Sequence, residues 1–321
     1  MWHFVVRFVR PEPVEGRASV MLLAAIGLAE QQWFDRLTTN GKRMANHKFI
    51  QPKMVSGVTI FILLAVACGS SYNPESRLVD VGGHGLNIRC SGEGAPAVVL
   101  VSGLASDNHD WEPVERSVSE TNLVCSYDRA GLGQSDVIEG IPTAQSATDS
   151  LYMLLSEAGV AGPLVLVGHS YGGLIAQLYA AQHPGNIVGV VLVDSLQKDN
   201  LVRTAEILGD EAMALFLGAT QANPEGVDIV ASLDQVESDA NLGGLPLTVI
   251  TAGVPNLPPF IDQDVRDKLA EAWLESQRDL VRLSSAGIHI IAEESGHCVQ
   301  CDQPKLVADS ILRDVARARN R

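Results

Sequence analysis

A serine between small residues is the strongest chemical signal in the sequence. Residues 168–173 are Gly-His-Ser-Tyr-Gly-Gly, so Ser170 lies in a Gly-x-Ser-x-Gly pattern. The short apolar run 164–167 precedes it and the helix-like stretch 174–182 follows it. A strand that turns directly into a helix needs small neighbours, because the residue at the turn is strained. The pattern predicts a nucleophilic Ser170 above the carboxyl end of a strand, with His169 serving as packing in the turn.

Apolar runs of strand length alternate with helix-like stretches along the rest of the chain. Strands are predicted at 78–81, 86–90, 97–101, 123–127, 164–167, 188–193, 247–251 and 289–292. Helices are predicted at 148–158, 174–182 and 265–283. An opening hairpin followed by this alternation indicates an α/β fold, with a mostly parallel eight-stranded sheet covered by helices on both faces. The interval 197–245 is too long for a simple connection and predicts a small helical cap inserted after the sixth strand.

Four short motifs resemble those of the α/β-hydrolase family and occur in the same order. They are Val-Val-Leu-Val-Ser-Gly-Leu (98–104), Tyr-Asp-Arg-Ala-Gly-Leu-Gly-Gln-Ser-Asp (127–136), the Ser170 motif with Val-Val-Leu-Val-Asp-Ser (190–195), and Ser-Gly-His (295–297) with Asp-Gln-Pro (302–304) behind it. The resemblance covers residues 78–321, which we interpret as one α/β-hydrolase domain. One departure is Ser102, at a place where the family usually has histidine.

The resemblance implies a base and an acid for the serine. His297 follows the last predicted strand and precedes the final helix, which is the family's position for the catalytic histidine. The family most often places its acid after the strand 247–251, but no carboxylate occurs there before Asp262. A subset of the family uses the preceding strand, and Asp194 lies at its end. We therefore predict Asp194, which keeps the nucleophile–acid–base order of this fold, with Asp262 or Asp264 as alternatives.

An enzyme that transfers acyl groups must also stabilise an oxyanion, and backbone N–H groups can do so without titrating. The turn around the serine supplies the amide of Tyr171, and by resemblance the loop after the strand 97–101 supplies the amide of Leu104. Asp128 and Arg129 are interpreted as an ion pair that holds this loop. No metal and no organic cofactor is predicted, because side chains and water complete the chemistry.

Four cysteines of the body form two candidate pairs. Cys298 and Cys301 have C-x-x-C spacing but lack the further ligands of a zinc site, and a disulfide there would stiffen the loop that bears the predicted base. Cys90 and Cys125 fall on the second and fourth strands, which are neighbours in the α/β-hydrolase fold. Buried free thiols are the alternative for this second pair.

Composition and charge exclude several classes of protein. Hydrophobic residues make up 46% of the chain and charged residues 19%, so a disordered chain is excluded. The net charge of −15 opposes binding to nucleic-acid phosphates. Residues 1–68 contain eight basic and four acidic residues, whereas the rest contains 15 and 34. An export signal on an acidic domain would produce this asymmetry.

The segment before the body resembles a bacterial lipoprotein signal. Residues 55–67 form an apolar run of thirteen, shorter than the roughly 20 residues that span a bilayer. Leu-Ala-Val-Ala-Cys ends at Cys68, where the resemblance places a lipid anchor. We expect residues 1–43 to be a spurious extension, 44–68 the signal and 69–77 a tether, which implies an extracytoplasmic, membrane-anchored protein. An ordinary or uncleaved signal is the alternative.

These observations predict a serine hydrolase with Ser170, Asp194 and His297 as catalytic triad. The expected substrate is a small molecule with a carboxylic ester or related acyl bond and a small to medium apolar group. An aminopeptidase or a carbon–carbon bond hydrolase on the same fold is the alternative within the class. A catalytically silent binding lipoprotein is the alternative outside it.

Overall fold

The structure is a computed structural model that describes residue 72 and residues 74–236, 241–255, 257–258 and 261–320. The predictions for 1–43 and for the signal 44–68, including Cys68, lie outside the described residues. Within the described part of the chain, no helix combines the length and the apolar character needed to cross a bilayer.

Eight strands form one sheet, in the order β1-β2-β4-β3-β5-β6-β7-β8. Their bounds are β1 Glu75–Asp80, β2 Gly85–Ser91, β3 Ala97–Val101, β4 Val124–Tyr127, β5 Leu164–His169, β6 Ile187–Val193, β7 Leu247–Ala252 and β8 Gly287–Ala292. Strand β2 is antiparallel to β1 and β4, whereas all pairs from β4 to β8 across the sheet are parallel. The predicted mostly parallel sheet is confirmed.

Helices cover both faces of this sheet. They are α1 Glu112–Val118, α2 Ala144–Glu157, α3 Tyr171–Gln182, α4 Asn200–Gln221, α5 Ile229–Asp234, α6 Gln263–Val281, α7 Val299–Asp302 and α8 Pro304–Arg319. Successive side chains of a strand point to opposite faces. In β3, Val99 joins the core packed against α2 and α3, whereas Val98 joins the core packed against α1 and α8. This is why the strand is apolar without interruption.

Helix ends depart from the predictions where local caps act. The helix predicted at 148–158 begins at Ala144, because the Thr143 side chain accepts a hydrogen bond from the amide of Ser146 and the Ser146 hydroxyl accepts one from the amide of Thr143. The helix predicted at 174–182 begins at Tyr171, directly after the serine. The strand therefore passes into the helix through a single residue.

The interval 197–245 contains the helices α4 and α5, between β6 and β7. Gly209 has a φ of 75° and breaks α4 into two helical pieces. Arg203 of α4 contacts Ser276 and Asp279 of α6. The hydroxyl of Ser232 in α5 accepts a hydrogen bond from the first amide of α2. We call residues 197–245 the cap, and these contacts attach it to two helices of the body.

Both candidate cysteine pairs are disulfides in this structure. Cys90 and Cys125 face each other in register on β2 and β4, and their bond joins the two strands. Cys298 and Cys301 are joined across the first turn of α7. The second bond closes a small ring immediately after His297.

Candidate active site

Ser170 occupies the single-residue turn between β5 and α3. Its φ of 51° and ψ of −119° are strained for a residue with a side chain. The turn is held against the end of β6, because the amide of Ser170 donates to the Val193 carbonyl at 3.0 Å. A Cβ on Gly168 would lie 2.5 Å from the Gly172 carbonyl oxygen, and one on Gly172 only 2.3 Å from that of Val101. Both glycines are therefore required for the turn.

Asp194 follows β6 directly and lies beside His297. Its Oδ2 accepts a hydrogen bond of 2.6 Å from His297 Nδ1. Its Oδ1 accepts two more, from the Ala252 amide at 3.0 Å and from Trp273 Nε1 at 2.8 Å. The carboxylate is 4% exposed, whereas the imidazole is 39% exposed. The acid is thus enclosed, and the base reaches solvent.

The hydrogen bonds to Asp194 determine its charge. Burial opposes ionisation, but the bond from His297, together with those from Trp273 and Ala252, outweighs it and lowers the pKa of the carboxyl. Asp194 is therefore ionised at neutral pH. Because a carboxylate can only accept, His297 carries its proton on Nδ1 and leaves Nε2 as the basic nitrogen. This is the tautomer that a general base next to a serine requires.

His169 joins the histidine loop to the serine turn. Its Nε2 donates to the carbonyl of His297 at 2.9 Å, and the two rings lie 4.7 Å apart. Burial, reinforced by the neighbouring His297, lowers the pKa of His169 to about 3, so it is neutral at pH 7. The residue is packing, as predicted, and it also connects position 297 to the residue before Ser170.

The loop after β3 packs against the serine turn. A Cβ on Gly103 would lie 2.7 Å from His169 Nδ1 and 3.3 Å from Ser170 Cβ. Leu104 follows in this loop, and Tyr171 is the first residue of α3. Within the described part of the chain, the amides of Leu104 and Tyr171 donate no hydrogen bond. Two amides with free bonding capacity therefore lie next to the serine.

The alternative acids lie at the start of α6. Asp262 caps this helix by accepting from the amide of Asp264. Asp264 is exposed and forms an ion pair with Lys268 at 2.6 Å. Neither carboxylate contacts His297, so among the three candidates only Asp194 reaches it.

A family comparison agrees with this geometry. The model of the family described as alpha/beta hydrolase fold matches residues 96–223. Over these residues the chain is similar to the α/β-hydrolase family, and it has the α/β-hydrolase fold. The predicted family, fold and enzyme class, a hydrolase, are confirmed.

Three proteins illustrate what the chain is similar to. The uncharacterized protein YqjL of Bacillus subtilis is 26% identical over 220 residues, which is 67% of this chain and 82% of that protein. A thermophilic esterase from Thermogutta terrifontis is 20% identical, with a TM-score of 0.57, over 76% of this chain and 99% of that one. A putative lipase from Acinetobacter baumannii is 19% identical, with a TM-score of 0.58, over 77% of this chain and 92% of that one. At these identities the solved structures show the fold.

The predicted ion pair between Asp128 and Arg129 is wrong, because each side chain has other partners. Asp128 accepts from the side chain of Asn87 and from the amide of Asn108. Arg129 forms its ion pair with Glu225 of the cap. Asp128 therefore contacts β2 and the turn at residue 108, whereas Arg129 reaches the cap. Both residues still hold loops, as expected.

Sequence reasoning also missed Trp273, the second side-chain donor to Asp194. It lies in the middle of α6, 79 residues along the chain from the carboxylate. Nothing in its local sequence distinguishes it from a tryptophan that packs in the core. The only available signal was an indole N–H, which needs a partner when it is buried.

One cluster of possible metal ligands occurs among the described residues. Asp110 lies beside Cys298 and Cys301, with ligand atoms within 4.8 Å of one another. The two sulfurs are bonded to each other in this structure, so they do not offer the thiolates that a soft metal prefers.

Proposed function

We propose that this α/β-hydrolase is a serine esterase that works through an acyl-enzyme. The observation that carries the proposal is the hydrogen-bonded pair of Asp194 and His297 beside a strained serine turn. An ionised carboxylate that fixes the Nδ1–H tautomer of a histidine is of little use to a binding protein. It is what a serine needs in order to lose its proton in the transition state.

The reaction follows from the roles of the three side chains. His297 Nε2 takes the proton of Ser170 while Oγ attacks the carbonyl carbon of the ester. The amides of Leu104 and Tyr171 stabilise the oxyanion. The imidazolium then protonates the leaving alcohol, and the acyl group stays on Ser170. Water, deprotonated by the same histidine, attacks the acyl-enzyme, and the carboxylic acid leaves with Ser170 restored.

A carboxylic ester is the bond that these residues support best. The solved structures with the same fold include an esterase and a putative lipase, which suggests the same class here. A serine nucleophile disfavours the branches of the family that use aspartate at this position. The side of the cap that faces the body is apolar, because Val227, Ile229 and Leu233 are buried in one hydrophobic cluster with residues of the sheet and of α2 and α3. We therefore propose a small to medium apolar acyl or alcohol group.

A substrate panel tests the proposal. We expect p-nitrophenyl butyrate to be hydrolysed faster, in kcat/KM, than amino-acid p-nitroanilides, and a carbon–carbon hydrolase substrate such as a vinylogous 1,5-diketone to react more slowly still. Active sites are counted with a fluorophosphonate, so that the rates are compared per reactive serine. Preference for the anilides would indicate an aminopeptidase. A protein that neither hydrolyses any substrate nor reacts with the fluorophosphonate would be a binding protein.

We also propose that Cys68 carries a lipid that attaches the enzyme to a membrane facing an extracytoplasmic compartment. The support is the sequence alone: an apolar run of thirteen residues followed by Leu-Ala-Val-Ala-Cys. In a bacterial host, Cys68→Ser should abolish metabolic labelling with palmitate and move the enzyme out of the membrane fraction. Wild-type protein that is cleaved, unlabelled and soluble would show an ordinary signal instead.

A further inference from the structure

A buried ion pair joins the cap to the body of the enzyme beside the active site. Glu225 lies in the turn between α4 and α5, and its two carboxylate oxygens accept from Arg129 at 2.7 and 2.8 Å. The side chains are 2% and 6% exposed. Asn223 holds this turn by accepting from the Val227 amide at 3.0 Å. Two buried charges persist only when their other donors and acceptors are also paired.

The other partners of this pair belong to the loop after β3. Arg129 donates to the carbonyls of Ser102 and Gly103. Glu225 Oε1 accepts from the amide of Ala105 at 2.6 Å. Ala105 has a φ of 58°, a left-handed conformation that a side chain disfavours and that surrounding contacts must maintain. The ion pair therefore contacts both peptide groups that flank Leu104.

Because the peptide bond is planar, a contact with the Gly103 carbonyl also orients the Leu104 N–H, the oxyanion donor. The Gly103 carbonyl and the Leu104 N–H belong to one trans peptide group and point in opposite directions. A hydrogen bond from Arg129 to that carbonyl therefore also fixes the direction of the N–H. A cationic donor on the carbonyl polarises the peptide group as well, which makes its N–H a stronger donor.

We propose that Arg129 and Glu225 are positioning residues for the amide of Leu104, which is an oxyanion donor. Through Glu225, the cap thereby helps to form the oxyanion hole. The Arg129 guanidinium also lies 5.4 Å from the centre of the Tyr171 ring. Tyr171 is the residue whose amide is the second oxyanion donor. Neither charged group touches the reacting atoms. The inference rests on the proposed function, because an oxyanion forms only if Ser170 attacks a carbonyl.

Glu225→Gln tests the proposal with little change in shape. The amide has one acceptor oxygen and no charge, so it cannot hold the guanidinium and the Ala105 amide as the carboxylate does. Per fluorophosphonate-titrated site, kcat for p-nitrophenyl butyrate should fall about 10- to 100-fold. KM should change less than about threefold, because the donors act on the transition state rather than on the bound ester.

A trifluoromethyl ketone provides a second readout of the same donors. It forms a tetrahedral adduct with the serine and carries the negative oxygen of the transition state. In Glu225→Gln its inhibition constant should rise by the same factor as kcat/KM falls. If the role of Glu225 were purely structural, the variant would have fewer active sites and a lower melting temperature. Its kcat/KM per active site and its inhibition constant for the ketone would stay unchanged.

Glu115→Gln is the matched control. Arg89 and Glu115 form another buried pair, 2.6 Å apart and 9% and 1% exposed. Arg89 contacts the carbonyl of Asn108 after β3, but among the described residues neither side chain bonds to the peptide groups that flank Leu104. This variant should lose thermal stability, as Glu225→Gln does, while its kcat per site and its inhibition constant stay within about twofold of wild type. If Glu225→Gln shows the same pattern as this control, the proposal is wrong.

A double variant covers the case in which Glu225→Gln does not fold. Arg129→Met with Glu225→Met removes both charges, so no buried charge is left without a partner. The double variant should show the same losses in kcat and in ketone affinity, and values equal to those of the wild type would overturn the proposal.

The unmodified protein separates this inference from the proposed function. If it lacks esterase activity, the proposed function and this inference are refuted together. Normal turnover in Glu225→Gln, in an enzyme that Ser170→Ala inactivates, would refute this inference alone.

Discussion

Ser170→Ala should lower kcat for ester hydrolysis about 10⁵- to 10⁶-fold, because no other group can form the acyl-enzyme. The variant should also stop reacting with fluorophosphonates, and mass spectrometry should locate the adduct of the wild-type enzyme on the peptide that contains Ser170. The fold should be unaffected. Alanine keeps the Cβ, and the Ser170 backbone makes the contacts with Val193 and Leu196 that hold the turn.

Ser310→Ala is the matched control for this loss. Ser310 is a buried serine of α8 whose hydroxyl donates only to the Leu306 carbonyl, within its own helix. It should retain wild-type kcat and full fluorophosphonate labelling. If Ser170→Ala keeps more than a few per cent of the activity with a native circular dichroism spectrum, the acyl-enzyme mechanism fails.

Features that depend on the local sequence were predicted well. The strand predicted at 97–101 has those bounds in the structure, because an unbroken apolar, mostly β-branched run suits a strand buried on both faces. The contact between Asp194 and His297 was predicted from the resemblance to the α/β-hydrolase family together with chain order, and the carboxyl ends of the parallel strands meet at one edge of the sheet. The strand required only periodicity, whereas the acid–base pair also required the family resemblance.

Contacts that depend on tertiary packing could not be predicted from the sequence in this way. Arg129 was assigned to its neighbour Asp128, yet its partner Glu225 lies 96 residues further along the chain. The sequence places Glu225 in a cap of unspecified orientation, and no periodicity relates it to the loop of Leu104. Trp273 was missed for a similar reason, because its role depends on how α6 packs over the end of β6.

Asp194→Asn should lower kcat about 10³- to 10⁴-fold while leaving the hydrogen-bond geometry nearly intact. The Ala252 amide and Trp273 Nε1 both donate to Oδ1, so the amide oxygen of the variant should keep that place. Its NH₂ group then takes the place of Oδ2 and donates to His297 Nδ1. The histidine proton is forced onto Nε2, the atom that must accept the proton of Ser170.

Asp262→Asn and Asp264→Asn are the controls for this assignment, because they change the two carboxylates that sequence reasoning left as alternatives. Asp262 caps α6 and Asp264 pairs with Lys268, so each change should alter kcat less than about tenfold. All three variants are compared with the wild type in kcat per titrated site at pH 8. A larger loss for either control than for Asp194→Asn would move the acid from the end of β6 to the start of α6.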